Sequence, residues 1–312
     1  MPQFQTPYEI LQVSYAHERG IFGQNITIAV IDTGIFPHND FFKAPHTNTP
    51  VNRLLAAPDF VHQGSHSYDN SGHGTHIAGI IGSSGIYNGH YIGIAPACRL
   101  VSIRILDGRG EGKVENMLSG IHWILEHQKQ YQIRIVNISI GAVGTLTSEK
   151  DNLLLQAVES LWDAGIIVVA AAGNQGPKKG SVTIPGTCPK IITVGASDDY
   201  RSIPMRGTMI KDYSGRGPTS ACIVKPEILA PGSHILSCKN AKKGYTVKSG
   251  TSMAAPFATG AIALLMECYP DITGKDVKLA LYQSCRNLHL PKEQQGWGLL
   301  NIPSLLSFIN YM

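Results

Sequence analysis

Short apolar runs rich in β-branched residues, separated by segments of helical periodicity, constrain this chain more than any other feature. The runs are Ile26–Ile31, Val101–Leu106, Ile133–Ile140, Ile166–Ala172, Ile191–Val194 and Ile228–Ala230. Most are apolar without the polar–apolar alternation of a strand with one wet face, although Val101–Ile105 does alternate. The runs are read as strands buried on both faces. Between them, residues 76–81, 114–130, 153–164, 253–268 and 275–283 read as helices. Val114, Met117, Leu118, Ile121, Ile124 and Leu125 mark one face of the second. Residues 253–268 are apolar throughout and rich in Ala and Gly, which predicts a central, buried helix. Strands alternating with helices imply right-handed βαβ crossovers, hence an α/β fold around a mostly parallel twisted sheet. No Pro/Gly-rich linker and no repeat divides the 312 residues, so a single domain, 1–312, is expected. In such sheets, binding and catalysis gather at the carboxyl ends of the strands.

Composition removes several classes of function. With 43% hydrophobic and 15% charged residues the chain is not a disordered one. The net charge of +4 comes from scattered Lys and Arg, so no nucleic-acid partner is expected. The longest apolar run, 165–172, is far short of the ~18 residues of a membrane helix, so no membrane partner is expected either. The first residues, MPQFQTPYEILQ, have neither the basic start nor the apolar stretch of a secretion signal. A cytoplasmic protein is the expectation; a secreted, processed mature chain is the alternative. Cys98, Cys188, Cys222, Cys238, Cys268 and Cys285 show no CxxC spacing and are read as reduced thiols.

Four motifs hold the polar residues that could do chemistry. Asp32-Thr33-Gly34 follows the first strand; a carboxylate there is costly to bury without a partner, although Asp also serves simply to cap turns. In the segment 70–79, NSGHGTHIAG, Gly72 and Gly74 clear space around His73 for another backbone. His76 opens the apolar run and reads as a packed, hydrogen-bonded helix residue. A metal pair of His73 and His76 lacks the HExxH pattern and the acidic third ligand. His62 and His66, in a polar loop, are read as solvated. Ser252, in Ser249-Gly250-Thr251-Ser252-Met253-Ala254-Ala255-Pro256, begins the buried helix. It is either an N-cap or a group placed where the helix's free N–H groups favour a developing anion. Asn174 leaves a strand in AAAGNQGP, as a turn former or as an amide donor to an oxyanion.

Together these supply a nucleophile, a base, an orienting carboxylate and an oxyanion donor. The order Asp, His, Ser is that of subtilisin, and not of chymotrypsin or the α/β-hydrolases. The sequence resembles the subtilisin-like serine proteases, the subtilase family (peptidase S8 type). VIDTG (30–34), GHGTHIAG (72–79), GTSMAAP (250–256), AAAGN and the GRGP…KPEILAPG stretch (215–232) carry the resemblance, which runs from about Val13 to about Asn301. Details such as YSGRGP are similar to the intracellular bacterial alkaline-protease branch.

The resemblance implies a three-layer α/β sandwich with helices on both faces of the sheet. It also implies a serine endopeptidase acting on peptide or protein substrates through an acyl-enzyme, with broad specificity and an apolar P1 preference. It casts Ser252 as nucleophile, His73 as general base and then acid, Asp32 as the residue orienting His73, and Asn174 with the Ser252 N–H as oxyanion hole. Substrate would lie as an added strand between Gly110-Glu111-Gly112 and Ser139-Ile140-Gly141. Ala171, Ala172 and Gly173 would wall the P1 pocket. Thr183 stands near its base, where well-known members have Gly, a departure that argues against the largest aromatic side chains. Ile184-Pro185 matches an X-Pro bond often cis in the family. No cofactor is required for the chemistry. A prosegment, common in the family, is not visible ahead of the matching region. Many members hold structural calcium in a loop after the His helix; here the side-chain signal in 83–91 is thin, with Asp40 and Asn88 the candidates. Two other classes compete: a non-catalytic subtilase that binds peptides, and a metallohydrolase using His73 and His76.

Overall fold

A computed structural model describes residues 5–47, 49–62, 69–141, 149–205 and 207–307. Its centre is a parallel sheet of β1 (Thr27–Asp32), β2 (Leu54–Ala56), β3 (Arg99–Arg104), β4 (Ile133–Ile138), β5 (Ile167–Ala171), β6 (Ile192–Ala196) and β7 (Ile228–Ala230). The strands run in the order β7-β6-β5-β4-β1-β3-β2, and every pairing is parallel. All six apolar runs of the sequence thus become sheet strands. The edge strand β2 was not legible: its residues Leu54, Leu55 and Ala56 are only half-buried and carry no period.

The five expected helices form as α1 (His73–Gly82), α2 (Val114–Tyr131), α3 (Glu149–Asp163), α4 (Thr251–Cys268) and α5 (Gly274–Ser284). The sheet splits the apolar interior into two layers. Ile28, Val30, Leu100, Ile135, Ile167 and Val169 point to one side, with α1, α4 and α5. Ala29, Ile31, Val101, Ile103, Val136, Val168 and Ala170 point to the other, with α2 and α3. Successive residues face opposite ways, as the pleat requires, yet both sets are buried. The two helical layers and the sheet form a three-layer α/β sandwich. Helix α4 is long and apolar enough to cross a membrane by length and composition, but most of it is buried inside the molecule. It is a core helix for the same reason that its sequence has no polar face. Its interior Pro256 has no N–H to give the Ser252 carbonyl four residues back, a bond this helix forgoes.

At the sheet's far edge Lys225 is fully buried, its Nζ 2.6 Å from Glu227 Oε1 and 3.0 Å from the Ile191 carbonyl. Glu227 Oε2 in turn accepts the Thr193 N–H. Burial pulls the lysine's pKa down, and Glu227 opposes that pull. The Lys-Pro-Glu of the sequence is therefore a buried ion pair tying β7 to β6. The six cysteines are unpaired; Cys98, Cys188 and Cys238 are buried and Cys222 is exposed.

The topology places the site. Strand β1 lies between β3 and β4; the chain leaves β1 toward β2 at one edge of the sheet and leaves β4 toward β5 on the other side. A crevice opens where neighbouring connections diverge. Asp32 is the last residue of β1. Segments 105–112 and 139–141 follow β3 and β4, one on each flank.

Candidate active site

Asp32 is fully buried, and its Oδ1 lies 2.7 Å from His73 Nδ1. The same oxygen accepts the Thr33 N–H at 2.8 Å. Asp32 Oδ2 is buried with no hydrogen-bond donor among the described residues. A carboxylate so placed has one strong partner, the imidazole. With Oδ1 able only to accept, His73 Nδ1 carries the proton and Nε2 is left with its lone pair. About a quarter of the His73 side chain remains exposed. Burial pulls the His73 pKa down, but the charge and hydrogen bond of Asp32 outweigh it and leave the pKa above the ordinary histidine value.

His73 is the first residue of α1, rather than lying in the loop ahead of it. Its position is set by Asp69, which sequence reading missed. Asp69 is buried and accepts from the Ser71, Gly72 and Thr75 N–H groups and from the hydroxyls of Thr33 and Thr75. The signal was present as Asp69-Asn70-Ser71-Gly72, an Asp whose side chain can bond its own backbone two or three residues on. Thr33 Oγ1 closes the network by accepting the Gly74 N–H at 2.9 Å. A Cβ at Gly74 would collide with the Gly34 carbonyl, so glycine is what lets α1 approach β1 closely enough for the Asp32–His73 bond. His76 is a packing residue: fully buried, its Nε2 facing the Ile235 and Thr246 carbonyls, its pKa lowered to about 3 chiefly by burial. It does not join His73 in a metal pair. His62 is exposed, and His66 lies outside the described residues.

Ser252 is the second residue of α4. Its backbone N–H has no acceptor among the described residues, as expected in the first turn of a helix. Gly250, at φ 137°, turns the chain into this helix. Asn174 approaches from the end of β5. Its Oδ1 accepts the Thr251 N–H at 2.9 Å and the Thr251 hydroxyl at 3.1 Å. A backbone N–H can only donate, so the amide's orientation is fixed and Nδ2 is free to donate elsewhere. Asn174, Thr251 and Ser252 line one cavity of about 300 Å³ with Gly141, Ala171, Gly173 and Thr183. The His73 side-chain hydrogen bond among the described residues is the one to Asp32, not one to Ser252 Oγ.

Two of the three residues expected to wall the P1 pocket line this cavity. Ala171 and Gly173 line it, but Ala172 does not: it is fully buried and its carbonyl accepts the Thr183 N–H at 3.0 Å. One wall comes from the antiparallel pair Ile203–Met205 and Thr208–Ile210, through Met205, Thr208 and Ile210. Thr183 also lines the cavity, between two glycines. A Cβ at Gly141 or at Gly173 would collide with its hydroxyl. A second cavity, of about 180 Å³, is lined by Gly110, Gly112, Ile140 and Gly141 with Ile105, Leu106, Met117 and Leu154. It lies between the two segments expected to flank a substrate. Glu111 is exposed, whereas the Ser139 side chain turns inward and accepts from Asn137 Nδ2. The Ile184-Pro185 bond is cis.

The calcium candidates do not come together as an oxygen cage. Asn88 is exposed at the turn of the hairpin 86–91. Asp40 instead accepts from the Ser83 and Tyr245 hydroxyls and faces His38 and Cys238. A calcium ion takes 6–8 oxygens, and the imidazole nitrogen and thiol sulfur that face Asp40 do not supply them.

Comparison with known proteins agrees with this geometry. The Subtilase family profile matches residues 23–298. Serine protease AprX of Bacillus subtilis is 36% identical over 274 residues; the match covers 82% of this chain and 60% of AprX. Subtilisin DY of Bacillus licheniformis is 31% identical over 300 residues, 95% of this chain and 97% of its own length. Among solved structures, a cold-adapted subtilisin-like serine proteinase superposes with a TM-score of 0.71 at 27% identity, covering 90% of each chain. Sphericase gives 0.72 at 26%, covering 91% and 96%. With its profile, its parallel sheet and the placement of Asp32, His73, Asn174 and Ser252 all pointing one way, the chain belongs to the subtilase family, the subtilisin-like serine proteases.

Proposed function

We propose that the chain is a serine endopeptidase working through Asp32, His73 and Ser252, and that it forms an acyl-enzyme. The observation that carries this is the buried 2.7 Å Asp32–His73 bond, taken with a cavity that Ser252 and Asn174 share. Ser252 Oγ attacks the scissile carbonyl as His73 Nε2 takes its proton. The oxyanion rests between Asn174 Nδ2 and the Ser252 N–H. His73 then protonates the leaving amine, water repeats the sequence on the ester, and Asp32 stabilises the imidazolium at each stage. Cleavage-site profiling on a peptide library, with the Ser252→Ala protein as control, tests the activity. A profile identical in both proteins would reject it and leave a peptide-binding subtilase as the reading.

Asn174→Ala should lower kcat by about 10²–10³ with little change in KM, the range set by removal of the equivalent donor in subtilisin. An effect confined to KM would make Asn174 a contact to the bound substrate only.

The described residues lining the cavity carry no charge. Apolar P1 residues such as Leu or Met should be favoured, and acidic ones disfavoured because no cation meets them. Thr183→Gly removes the side chain wedged between Gly141 and Gly173. The ratio of kcat/KM for Phe over Leu at P1 should then rise by about tenfold. A wild-type preference for Arg or Glu, or an unchanged ratio in the variant, would show that the cavity is not the P1 pocket.

His73 must be neutral to accept a proton. Because Asp32 holds its pKa above the ordinary value of about 6.5, the protonated, inactive form persists to higher pH. The acid limb of kcat/KM should therefore lie above that value, with full activity on the alkaline side. An optimum below pH 5 would remove His73 from the mechanism.

A further inference from the structure

We propose that His38, Asp40 and Cys238 form a binding site for a thiophilic divalent cation of the zinc class. The three side chains converge from a loop after β1 and from the strand Ile235–Cys238. His38 and Cys238 are buried, and Asp40 is 9% exposed. Cys238 Sγ lies 3.7 Å from His38 Nδ1 and 3.6 Å from Asp40 Oδ2, and His38 Nδ1 lies 3.4 Å from Asp40 Oδ1. Ligands at the usual zinc–sulfur, zinc–nitrogen and zinc–oxygen lengths, at tetrahedral angles, stand about 3.3–3.6 Å apart. The donors are thus spaced close to what the ion requires.

The surroundings orient these donors. His38 Nε2 donates to the Gly244 carbonyl at 3.1 Å, which leaves the lone pair on Nδ1, the atom facing the cluster. Nδ1 accepts the Asp40 backbone N–H at 3.2 Å and lies 3.4 Å from Asp40 Oδ1, so a cation held here would take over the lone pair from that N–H. Ser83 and Tyr245 hydroxyls donate to Asp40 Oδ2 at 2.5 and 3.1 Å and fix its plane. The nearest buried cation, Arg53, is directed at the Asp40, Lys43, Gly82 and Cys98 carbonyls. A cleft of about 630 Å³ reaches Asp40 and Tyr245 from solvent and provides an entry path. Binding would form metal–nitrogen, metal–oxygen and metal–sulfur bonds, release the thiol proton to solvent and leave the fourth position to water. Sulfur and imidazole are ligands for zinc, not for calcium. The carboxylate that the family resemblance offers to calcium is here committed to a different ion. The site is also mechanically connected. Ser83 caps the end of α1 whose first residue is His73, and Ser237, next to Cys238, donates to the His76 carbonyl.

The test uses the full chain carrying Ser252→Ala, which stops self-digestion, and Cys222→Ser, which removes the exposed thiol. One equivalent of Zn²⁺ should bind and raise Tm by several degrees, while Ca²⁺ at the same concentration should not. Co²⁺ should give the intense absorption of a cobalt–thiolate bond. Cys238→Ala should abolish that band and weaken Zn²⁺ binding at least 100-fold, with apo Tm little changed; Asp40→Asn should weaken it at least tenfold. Absence of the cobalt–thiolate band in the parent protein, which needs no ligand variant to read, would overturn the proposal. So would an equal Zn²⁺ shift in Cys238→Ala, or a Ca²⁺ shift as large as that of Zn²⁺. The cluster would then be a buried histidine–carboxylate pair beside a protonated thiol.

Discussion

Ser252→Ala should lower kcat about 10⁶-fold, a loss of about 8 kcal/mol of transition-state stabilisation, while KM changes little. The magnitude is carried over from subtilisin; the direction follows from this site. A serine hydroxyl is a weak nucleophile unless a base takes its proton. His73 is the base proposed, because Asp32 leaves its Nε2 with a lone pair, whereas His76 is locked between two carbonyls and buried. Removing Oγ leaves the Asn174 amide, the Ser252 N–H and the cavity in place. Binding should persist, and so should a residual rate well above that in water. Initial-rate kinetics on a Leu-P1 peptide measure it. A kcat within tenfold of wild type would mean that another group attacks the carbonyl.

Asp32→Asn should cost about 10⁴ in kcat with the fold intact. The reason lies in which atom carries a proton. Asp32 Oδ1 only accepts, so it holds His73 with Nδ1 protonated and Nε2 ready to act as base. An amide can present its N–H₂ instead, draw the lone pair of His73 onto Nδ1 and leave Nε2 protonated. It also removes the charge that stabilises the imidazolium. Loss of that charge lets burial dominate, so the His73 pKa should fall below that in the wild type and the acid limb should move to lower pH. Kinetics across pH read both effects. A 10⁴-fold loss with an unmoved acid limb would show that Asp32 orients His73 without acting on its charge.

Much of this was legible in the chain because the sheet is buried on both faces. Runs such as Ile166–Ala172 have no reason to alternate, and their continuity announces the central strands. The edge strand Leu54–Ala56 is half-buried and three residues long, so neither periodicity nor length betrays it. The site motifs were legible for a related reason. Gly74 and Gly250 sit where backbones meet or φ is positive, and such demands leave a mark in the sequence. Asp69 escaped because its work is done on neighbouring N–H groups, a role indistinguishable in sequence from an ordinary turn. Ala172 is buried between two residues that line the cavity, and only the path of the backbone decides which way such a side chain faces. The antiparallel pair Ile203–Met205 and Thr208–Ile210 contributes its wall through tertiary packing, which no local pattern encodes. Cys238 and His38 are 200 residues apart, and only the fold brings them together.

The central claim is that Ser252 is the nucleophile and that His73, held by Asp32, makes it one. A peptidyl phosphonate reacts with an activated serine and stays attached, so intact mass followed by peptide mapping tests the claim directly. Wild-type protein should take up one phosphonyl group, at Ser252, and His73→Ala should take up essentially none in the same time. An adduct at any other residue, or undiminished labelling of Ser252 in His73→Ala, would contradict the account.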